Sequence, residues 1–84
     1  MAKSIYDDEY RRLIALLRSA RTAKGMTQQE LADRLGRPQS FIAKVEGCER
    51  RLDVVEFLNV CRALGDDPAT FIHDLVESSN GIKH

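Results

Sequence analysis

The chain has 84 residues, of which 43% are hydrophobic, and its 13 basic and 13 acidic side chains give a formal net charge of zero. This composition favours one small packed domain and argues against intrinsic disorder and against two independent cores. No stretch approaches the roughly 18 apolar residues of a membrane span, and the N-terminal MAKSIYDDEY lacks the apolar segment of a secretory signal. We therefore expect a cytoplasmic protein without a membrane partner.

The first predicted helix carries apolar side chains at spacings of three and four residues. Tyr6, Tyr10, Leu13 and Leu17 follow this spacing, and Gly25 stops it. Because side chains at this spacing share one face of a helix, the pattern predicts a long amphipathic helix that packs on a core.

Two short helices joined by a tight corner follow the first helix. Thr27 and Glu30 have the spacing of a capping box, which predicts a helix start, and Gly36 offers the left-handed conformation that ends a helix. Pro38 suits only the cap or first turn of the next helix, since it lacks an N–H and its φ is fixed. The pattern predicts a helix-turn-helix over residues 27–46.

Two further helices are predicted in the second half of the chain. Asp53 and Glu56 repeat the spacing of a capping box before an apolar run that ends at residue 64. Asp67 before Pro68 marks the start of a fifth helix, predicted over residues 68–77. The polar residues 78–84 are expected to be a flexible tail. The sequence thus predicts an all-α, compact five-helix domain that spans the whole chain, residues 1–84.

A short helix and a tight corner before a second helix suit double-stranded DNA, because the first can cross the backbone while the second lies in the major groove. Gln39 and Ser40 stand at the start of that second helix, and Lys44 follows about one turn later. Gln can bond adenine and Lys can bond guanine, so we expect these three to read bases. Phe41 is expected to be partly exposed, where its ring could contact a thymine methyl group.

The charges are unevenly distributed, although their sum is zero. Residues 11–52 hold ten basic and four acidic side chains, whereas residues 1–10 have a net charge of −2 and residues 53–84 a net charge of −4. A basic middle segment is attracted to a phosphate backbone regardless of the total. Arg37, Arg50 and Arg51 flank the proposed reading helix and are candidates for backbone contacts, with ordinary solvated arginines as the alternative.

The segment RTAKGMTQQELADRLGRPQSFIAKVEGCERRLDVVEFLNVCRALGDDP, residues 21–68, resembles the helix-turn-helix domain of the Xre type, which includes Cro and phage repressors. The matching positions are Arg21, Gly25, Thr27, Gln28, Glu30, Leu31, Ala32, Gly36, Ile42, Glu46, Ala63, Leu64 and Gly65. The resemblance implies a lambda-repressor-like fold in which Gln28 binds a DNA phosphate, and we expect Thr27 beside it to contact the DNA backbone as well. It also implies that Arg21 pairs with Glu46.

One position departs from this family. Members usually have glycine where this chain has Cys48, and here the glycine is Gly47. A non-glycine residue at positive φ is uncommon, so we expect the turn to shift by one residue.

Helices four and five carry more apolar residues than a single core face requires. Members of the family this short usually bind DNA as homodimers, and the last helix is often the dimer contact. The expected dimer residues are Phe57, Phe71, Ile72 and Leu75. The sequence therefore indicates a homodimeric repressor, which regulates its own gene from a pseudo-palindromic operator. Two alternatives are that both helices complete a monomer core, or that they dock a toxin or another regulator.

Nothing in the sequence indicates an enzyme, a cofactor or a metal site. His73 and His84 have no accompanying ligand series, and Cys48 and Cys61 do not form a CxxC pair. A disulfide between these two cysteines is not expected, because the cytosol keeps thiols reduced.

Overall fold

A computed structural model describes residues 5–81 of the chain, with the side chains of residues 8–78. Within that range the chain forms five helices: α1 (Ile5–Ala23), α2 (Gln28–Leu35), α3 (Gln39–Glu46), α4 (Val54–Leu64) and α5 (Pro68–Gly81). α1 packs against α3, α4 and α5, while α2 packs against α3 and α4. The predicted all-α, five-helix architecture is confirmed. Over the part of the chain described, none of the helices is both long and apolar enough to span a bilayer.

Local side-chain caps set the starts of α2 and α4, as the sequence predicts. The Thr27 hydroxyl accepts a hydrogen bond from the backbone N–H of Glu30, and the Glu30 carboxylate accepts one from the backbone N–H of Thr27. Asp53 and Glu56 form the same reciprocal pair at the start of α4. Each helix ends at a glycine in the left-handed conformation. Residues close together in sequence therefore fix both ends of both helices.

α5 is longer than the sequence indicates. It continues through Gly81, so its predicted end at residue 77 is wrong. Extending an existing helix by one residue costs little, and the polar residues after 77 therefore remain helical. Residues 82–84 of the expected tail lie outside the described residues.

The core lies between α1, the helix-turn-helix and the two last helices. Phe57 and Phe71 belong to it: they are 8% and 7% exposed, and their rings meet edge to face with centroids 6.4 Å apart. Their assignment to a dimer contact is therefore wrong, because each is already removed from solvent within one chain. A domain of this size has few large side chains to fill its interior, and it uses these two. Among residues 8–78, the buried apolar residues are Ile14, Leu17, Met26, Leu31, Ala32, Phe41, Ile42, Val45, Phe57, Val60, Cys61, Leu64 and Phe71.

Two cations fasten α4 to the first half of the chain. Lys24 Nζ donates to the backbone carbonyl of Leu64 and to Asp66 Oδ1, both at 2.6 Å. Arg34 Nη1 donates to the carbonyl of Ala63 at 3.0 Å. Carbonyls in the last turn of a helix have no intrahelical partner and carry partial negative charge, so cations there are favourable. These contacts hold the end of α4 against α2 and against the residue that follows α1.

Cys48 occupies the left-handed position that follows α3. Its φ is 59°, whereas Gly47 has a φ of −84°, so the expected one-residue shift of the turn is wrong. The backbone N–H of Cys48 donates to Val45 and that of Glu49 donates to Lys44, the pair of bonds that defines a Schellman motif. These bonds satisfy the last carbonyls of α3, and they keep residue 48 at positive φ despite its side chain.

Two substitutions of Cys48 separate the effect of the thiol on stability from the effect of backbone strain. Cys48→Gly and Cys48→Ala both remove the thiol, but only alanine keeps the Cβ that disfavours positive φ. We expect the glycine variant to be more stable than the alanine variant by about 1 kcal/mol. Urea denaturation of both variants would measure the difference. Equal stabilities would show that the turn relaxes away from the left-handed conformation.

Candidate nucleic-acid interface

The exposed side of α3 carries the three polar residues predicted to read bases. Gln39, Ser40 and Lys44 are exposed, while Ile42 and Val45 on the opposite side are buried in the core. The period of an α-helix separates the two sets. We call Gln39, Ser40 and Lys44 the reading edge.

One flank of the reading edge is built around the carboxylate of Glu46. Arg21 Nε donates to Glu46 Oε2 at 2.6 Å, and Arg21 Nη2 donates to Glu46 Oε1 at 2.9 Å. The third nitrogen, Nη1, donates to the carbonyl of Met26 at 2.7 Å. Arg21 and Glu46 side chains are each 9% exposed, so this is a bidentate pair with little contact with water. It joins the end of α1 to the end of α3.

The same carboxylate sets the orientation of two glutamine amides. Gln28 Nε2 donates to Glu46 Oε1 at 2.9 Å, and Gln39 Nε2 donates to Gln28 Oε1 at 2.7 Å. An ionised carboxylate can only accept, so Gln28 must present its nitrogen to Glu46 and its oxygen to Gln39. Gln39 therefore keeps its Oε1 and its second N–H for a ligand, one acceptor and one donor, as bidentate bonding to adenine requires.

The other flank of the reading edge is built around Phe41, which is not a reading residue. Its side chain is 7% exposed, so the expected partial exposure and the contact with thymine are wrong. The guanidinium carbons of Arg37 and Arg50 lie over its ring, 4.1 Å and 4.7 Å from the centroid. Two cations over one aromatic ring use the negative π face and cover the ring from water. Phe41 thus serves as a platform for two arginines from opposite ends of α3.

Both arginines on Phe41 bind one carboxylate, Glu56. Arg37 Nη2 donates to Glu56 Oε2 at 3.1 Å, while Arg50 donates to both carboxylate oxygens, at 3.1 Å and 2.9 Å. Hydrogen bonds from Arg50, followed by the backbone N–H of Asp53, hold the pKa of Glu56 at about 2, well below its usual range. Glu56 is therefore ionised at neutral pH.

Arg51, Thr27 and Gln28 are the other residues predicted to contact the DNA backbone. Arg51 is exposed and lies over the ring of Tyr10, with its guanidinium carbon 4.5 Å from the centroid. The Tyr10 hydroxyl accepts a hydrogen bond from the backbone N–H of Leu52 at 3.1 Å, which anchors this part of the loop to α1. Thr27 is exposed at the start of α2, beside Gln28. The structure brings Gln28 to the reading edge and places Arg51 in the loop after α3.

Glu56 and Tyr10 are the residues of this surface that sequence reasoning missed. The sequence indicated Glu56 only as a helix cap, and Tyr10 only as one member of an apolar stripe. The contact of Arg50 with Glu56 could have been predicted, because a capping box fixes the glutamate carboxylate at the helix start and the arginine lies only six residues before it. The contact of Tyr10 with Leu52 spans 42 positions and had no local signal.

The described residues contain no group of three or more side chains placed to hold a metal ion. Cys48 and Cys61 are free thiols. Burial raises the pKa of the Cys61 thiol to about 11, so Cys61 is neutral at physiological pH and packs as a small apolar side chain.

The low pKa of Glu56 predicts a pH dependence of stability. A carboxylate whose folded pKa is about 2, against an ordinary 4.5, adds stability that is complete above about pH 4.5 and is lost as pH falls through 2. Glu56→Gln should therefore be less stable than the wild type at pH 7, with a difference that shrinks between pH 4.5 and 2. Urea denaturation over this pH range would measure the difference. A constant difference would mean that the carboxylate charge does not contribute.

Comparison with known proteins identifies the family. Residues 12–71 match a helix-turn-helix domain family. The chain is 51% identical to an XRE-family like protein from Pseudomonas syringae pv. tomato, over 88% of this chain and 90% of that one, with a TM-score of 0.85. It is 33% identical to the restriction-modification controller protein C.AhdI from Aeromonas hydrophila, over 79% and 98% of the two chains, with a TM-score of 0.69.

A more distant similarity shows the fold alone. The restriction-modification controller protein C.Esp1396I, solved as a tetramer in complex with its natural 35 base-pair operator, is 21% identical over 89% of this chain and 95% of that one, with a TM-score of 0.76. No match is found among curated proteins. The match of the helix-turn-helix family to most of the chain, together with the 51% identity, confirms the resemblance drawn from the sequence and the lambda-repressor-like fold. The chain belongs to the XRE family of helix-turn-helix DNA-binding transcriptional regulators, and it is not an enzyme.

Proposed function

We propose that the protein is a cytoplasmic, homodimeric repressor that binds a pseudo-palindromic operator near its own gene. The observation that carries the proposal is the reading edge of Gln39, Ser40 and Lys44, whose first residue is oriented by a hydrogen-bonded chain from Glu46. A pre-oriented donor and acceptor at the start of α3 suits adenine in the major groove. C.Esp1396I, which has the same fold, is in complex with its operator DNA, and this supports operator DNA as the ligand.

Backbone contacts around the reading edge complete the proposed complex. Thr27 and Gln28 would meet a phosphate at the start of α2, because free N–H groups and the helix dipole favour an anion there. Arg37, Arg50 and Arg51 would meet phosphates on the other side of α3. These contacts set the register of the protein on DNA without reading its sequence.

Ile72, Leu75 and Val76 on α5 form the proposed dimer surface. Ile72 is 44% and Val76 47% exposed, and Leu75 is half-buried. Apolar side chains left in water on one face of a terminal helix favour contact with a second copy. To meet successive major grooves, the two copies of α3 in such a dimer would have to lie about 34 Å apart.

DNA capture tests the proposed activity. The protein is incubated with sheared genomic DNA of its source at moderate salt, and the retained fragments are sequenced. We expect a two-fold motif with half-sites one helical turn apart, upstream of its own gene. If no fragment is enriched, the exposed apolar residues instead favour a module that docks a toxin or another regulator.

Substitutions on the captured operator test the reading edge. Gln39→Ala and Lys44→Ala should each reduce discrimination between operator and random DNA by about 1–3 kcal/mol, since each removes contacts to a base. Arg51→Ala should weaken binding to both DNAs alike. Gln29→Ala is the matched control, because Gln29 is an exposed glutamine of α2 that bonds Asp33 instead of the reading edge. Competition binding would measure all four. Unchanged discrimination in Gln39→Ala and Lys44→Ala would place the reading surface elsewhere.

Charge on α5 tests the dimer surface. Ile72→Asp should weaken self-association at least tenfold, since burying one such side chain is worth about 1.5–3 kcal/mol. Thr70→Asp adds the same charge to another face of α5 and should leave association unchanged. Sedimentation velocity at micromolar concentration would measure both. A monomeric wild type would remove the basis for the proposed dimer.

A further inference from the structure

Phe41, Arg37, Arg50 and Glu56 form one connected unit beside the reading edge. Arg37 comes from the turn before α3 and Arg50 from the loop after it, yet both guanidinium groups lie over the same ring and bind the same carboxylate. The unit therefore ties together the two ends of α3 and the start of α4. With two cations and one anion it has a net charge of +1.

The arginines are the outer part of this unit. Their side chains are 42% and 39% exposed, whereas the Glu56 side chain is 20% exposed. A guanidinium has five N–H donors. Arg37 gives one to Glu56, and Arg50 uses its Nη1 and Nη2 for Glu56 and for the carbonyl of Arg51. Both groups thus retain donors that an anion in solvent could bind.

Glu56 is itself held in place by the backbone. Its Oε1 accepts a hydrogen bond at 3.0 Å from the N–H of Asp53, and this bond is half of the capping box that begins α4. A carboxylate fixed to a helix start does not follow the arginines if they move. It therefore gives both guanidinium groups a stationary anchor.

We propose that Arg37 and Arg50 form a phosphate clamp on the ring of Phe41, and that Glu56 is the positioning residue that holds this clamp in its binding geometry. Glu56 would not touch DNA. It would restrict the conformations of two long side chains before DNA binds. Without it, the loss of their conformational entropy would reduce the affinity for DNA. The inference rests on the proposed function, since its ligand is the DNA backbone.

The opposite role for Glu56 makes an opposite prediction. If the carboxylate merely occupied donors that a phosphate needs, its removal would release the arginines and strengthen binding to DNA. Loss of any negative charge near the interface also strengthens binding through long-range electrostatics. The positioning role alone predicts weaker binding when a negative charge is removed.

The chain contains a matched control for this test. Glu30 occupies the same place in the capping box of α2 as Glu56 in that of α4, but it is not part of the arginine unit. Glutamine preserves a capping box, so Glu56→Gln and Glu30→Gln each remove one charge from an equivalent helix start. Loss of either charge favours the approach of a phosphate, so weaker DNA binding by Glu56→Gln than by Glu30→Gln points to the arginines.

The experiment measures dissociation constants for the captured operator and for random DNA over a range of salt concentrations. We expect Glu56→Gln to bind both DNAs at least about three- to tenfold more weakly, which is the cost of ordering one of the two arginine side chains. The slope of log K against log salt should fall by about 0.9 for each phosphate that the variant no longer binds. Glu30→Gln should bind as tightly as the wild type or more tightly.

Aspartate substitutions separate geometry from charge. Glu56→Asp keeps the net charge but shortens the side chain, so the carboxylate cannot bridge both guanidinium groups. It should weaken DNA binding in the same direction as Glu56→Gln, and by more than Glu30→Asp, because the cap at Glu30 holds no arginine of this unit. Thermal melts followed by circular dichroism would identify an assay temperature at which all variants are folded. If Glu56→Gln is unfolded at every usable temperature, the comparison of Glu56→Asp with Glu30→Asp provides the test.

The outcomes distinguish this inference from the proposed function. If the wild type binds no DNA in a salt-dependent manner, the proposed function fails and the inference fails with it. If the wild type binds but Glu56→Gln and Glu56→Asp match their Glu30 counterparts, only the inference is wrong. Tighter binding by Glu56→Gln than by Glu30→Gln would show that Glu56 screens the arginines.

Discussion

The proposed DNA-binding surface depends on the buried ion pair between Arg21 and Glu46. Two charges that are each 9% exposed lose much of their hydration, and that loss is offset only when every donor and acceptor finds a partner. Here the arginine nitrogens reach Glu46 and the carbonyl of Met26, while the carboxylate accepts a further bond from Gln28. The pair joins the ends of α1 and α3 to the start of α2. Its value lies in fixing their relative positions, since an ion pair of this kind gives little net stability over apolar packing.

Phe41, Phe57 and Phe71 show how a small domain uses its large apolar side chains. Each was a candidate for contact with a partner or with DNA, and each is instead less than a tenth exposed. The surface-to-volume ratio of an 84-residue chain explains this outcome, because few residues can be fully enclosed and the large rings enclose the most area. Phe41 lies at the border of α3 and needs the arginines on either side of the helix to cover it. Among the side chains that the structure describes, the large hydrophobic residues that are exposed are valines and an isoleucine, on α5 and at the start of α4.

Features set by neighbouring residues could be predicted from the sequence, and features set by distant contacts could not. The capping boxes and the glycine ends of α2 and α4 depend on residues within one turn, so the helix boundaries followed from spacing alone. Helical periodicity also separated Gln39, Ser40 and Lys44 from the core side of α3. It could not say which neighbour covers Phe57 or Phe71, because that depends on how α4 and α5 pack. The prediction for the turn at Cys48 was wrong because it considered only the preference of glycine for positive φ. The hydrogen bonds of the Schellman motif at the end of α3 keep Cys48 in that conformation.

Two carboxylates beside a proposed DNA-binding edge would repel a phosphate backbone if they stood alone, but each is surrounded by cations. Glu46 is matched by Arg21, and Glu56 is outnumbered by Arg37 and Arg50. Both carboxylates lie behind the groups that they hold, so a phosphate approaching from solvent would meet glutamine amides on one flank and guanidinium groups on the other. Most of the other acidic residues belong to the two ends of the chain: residues 1–10 have a net charge of −2, and residues 53–84, with Glu56 included, have a net charge of −4. A local field of this kind depends more on fixed positions of the charged and polar groups than on a high total charge. The two carboxylates fix the positions of the guanidinium and amide groups.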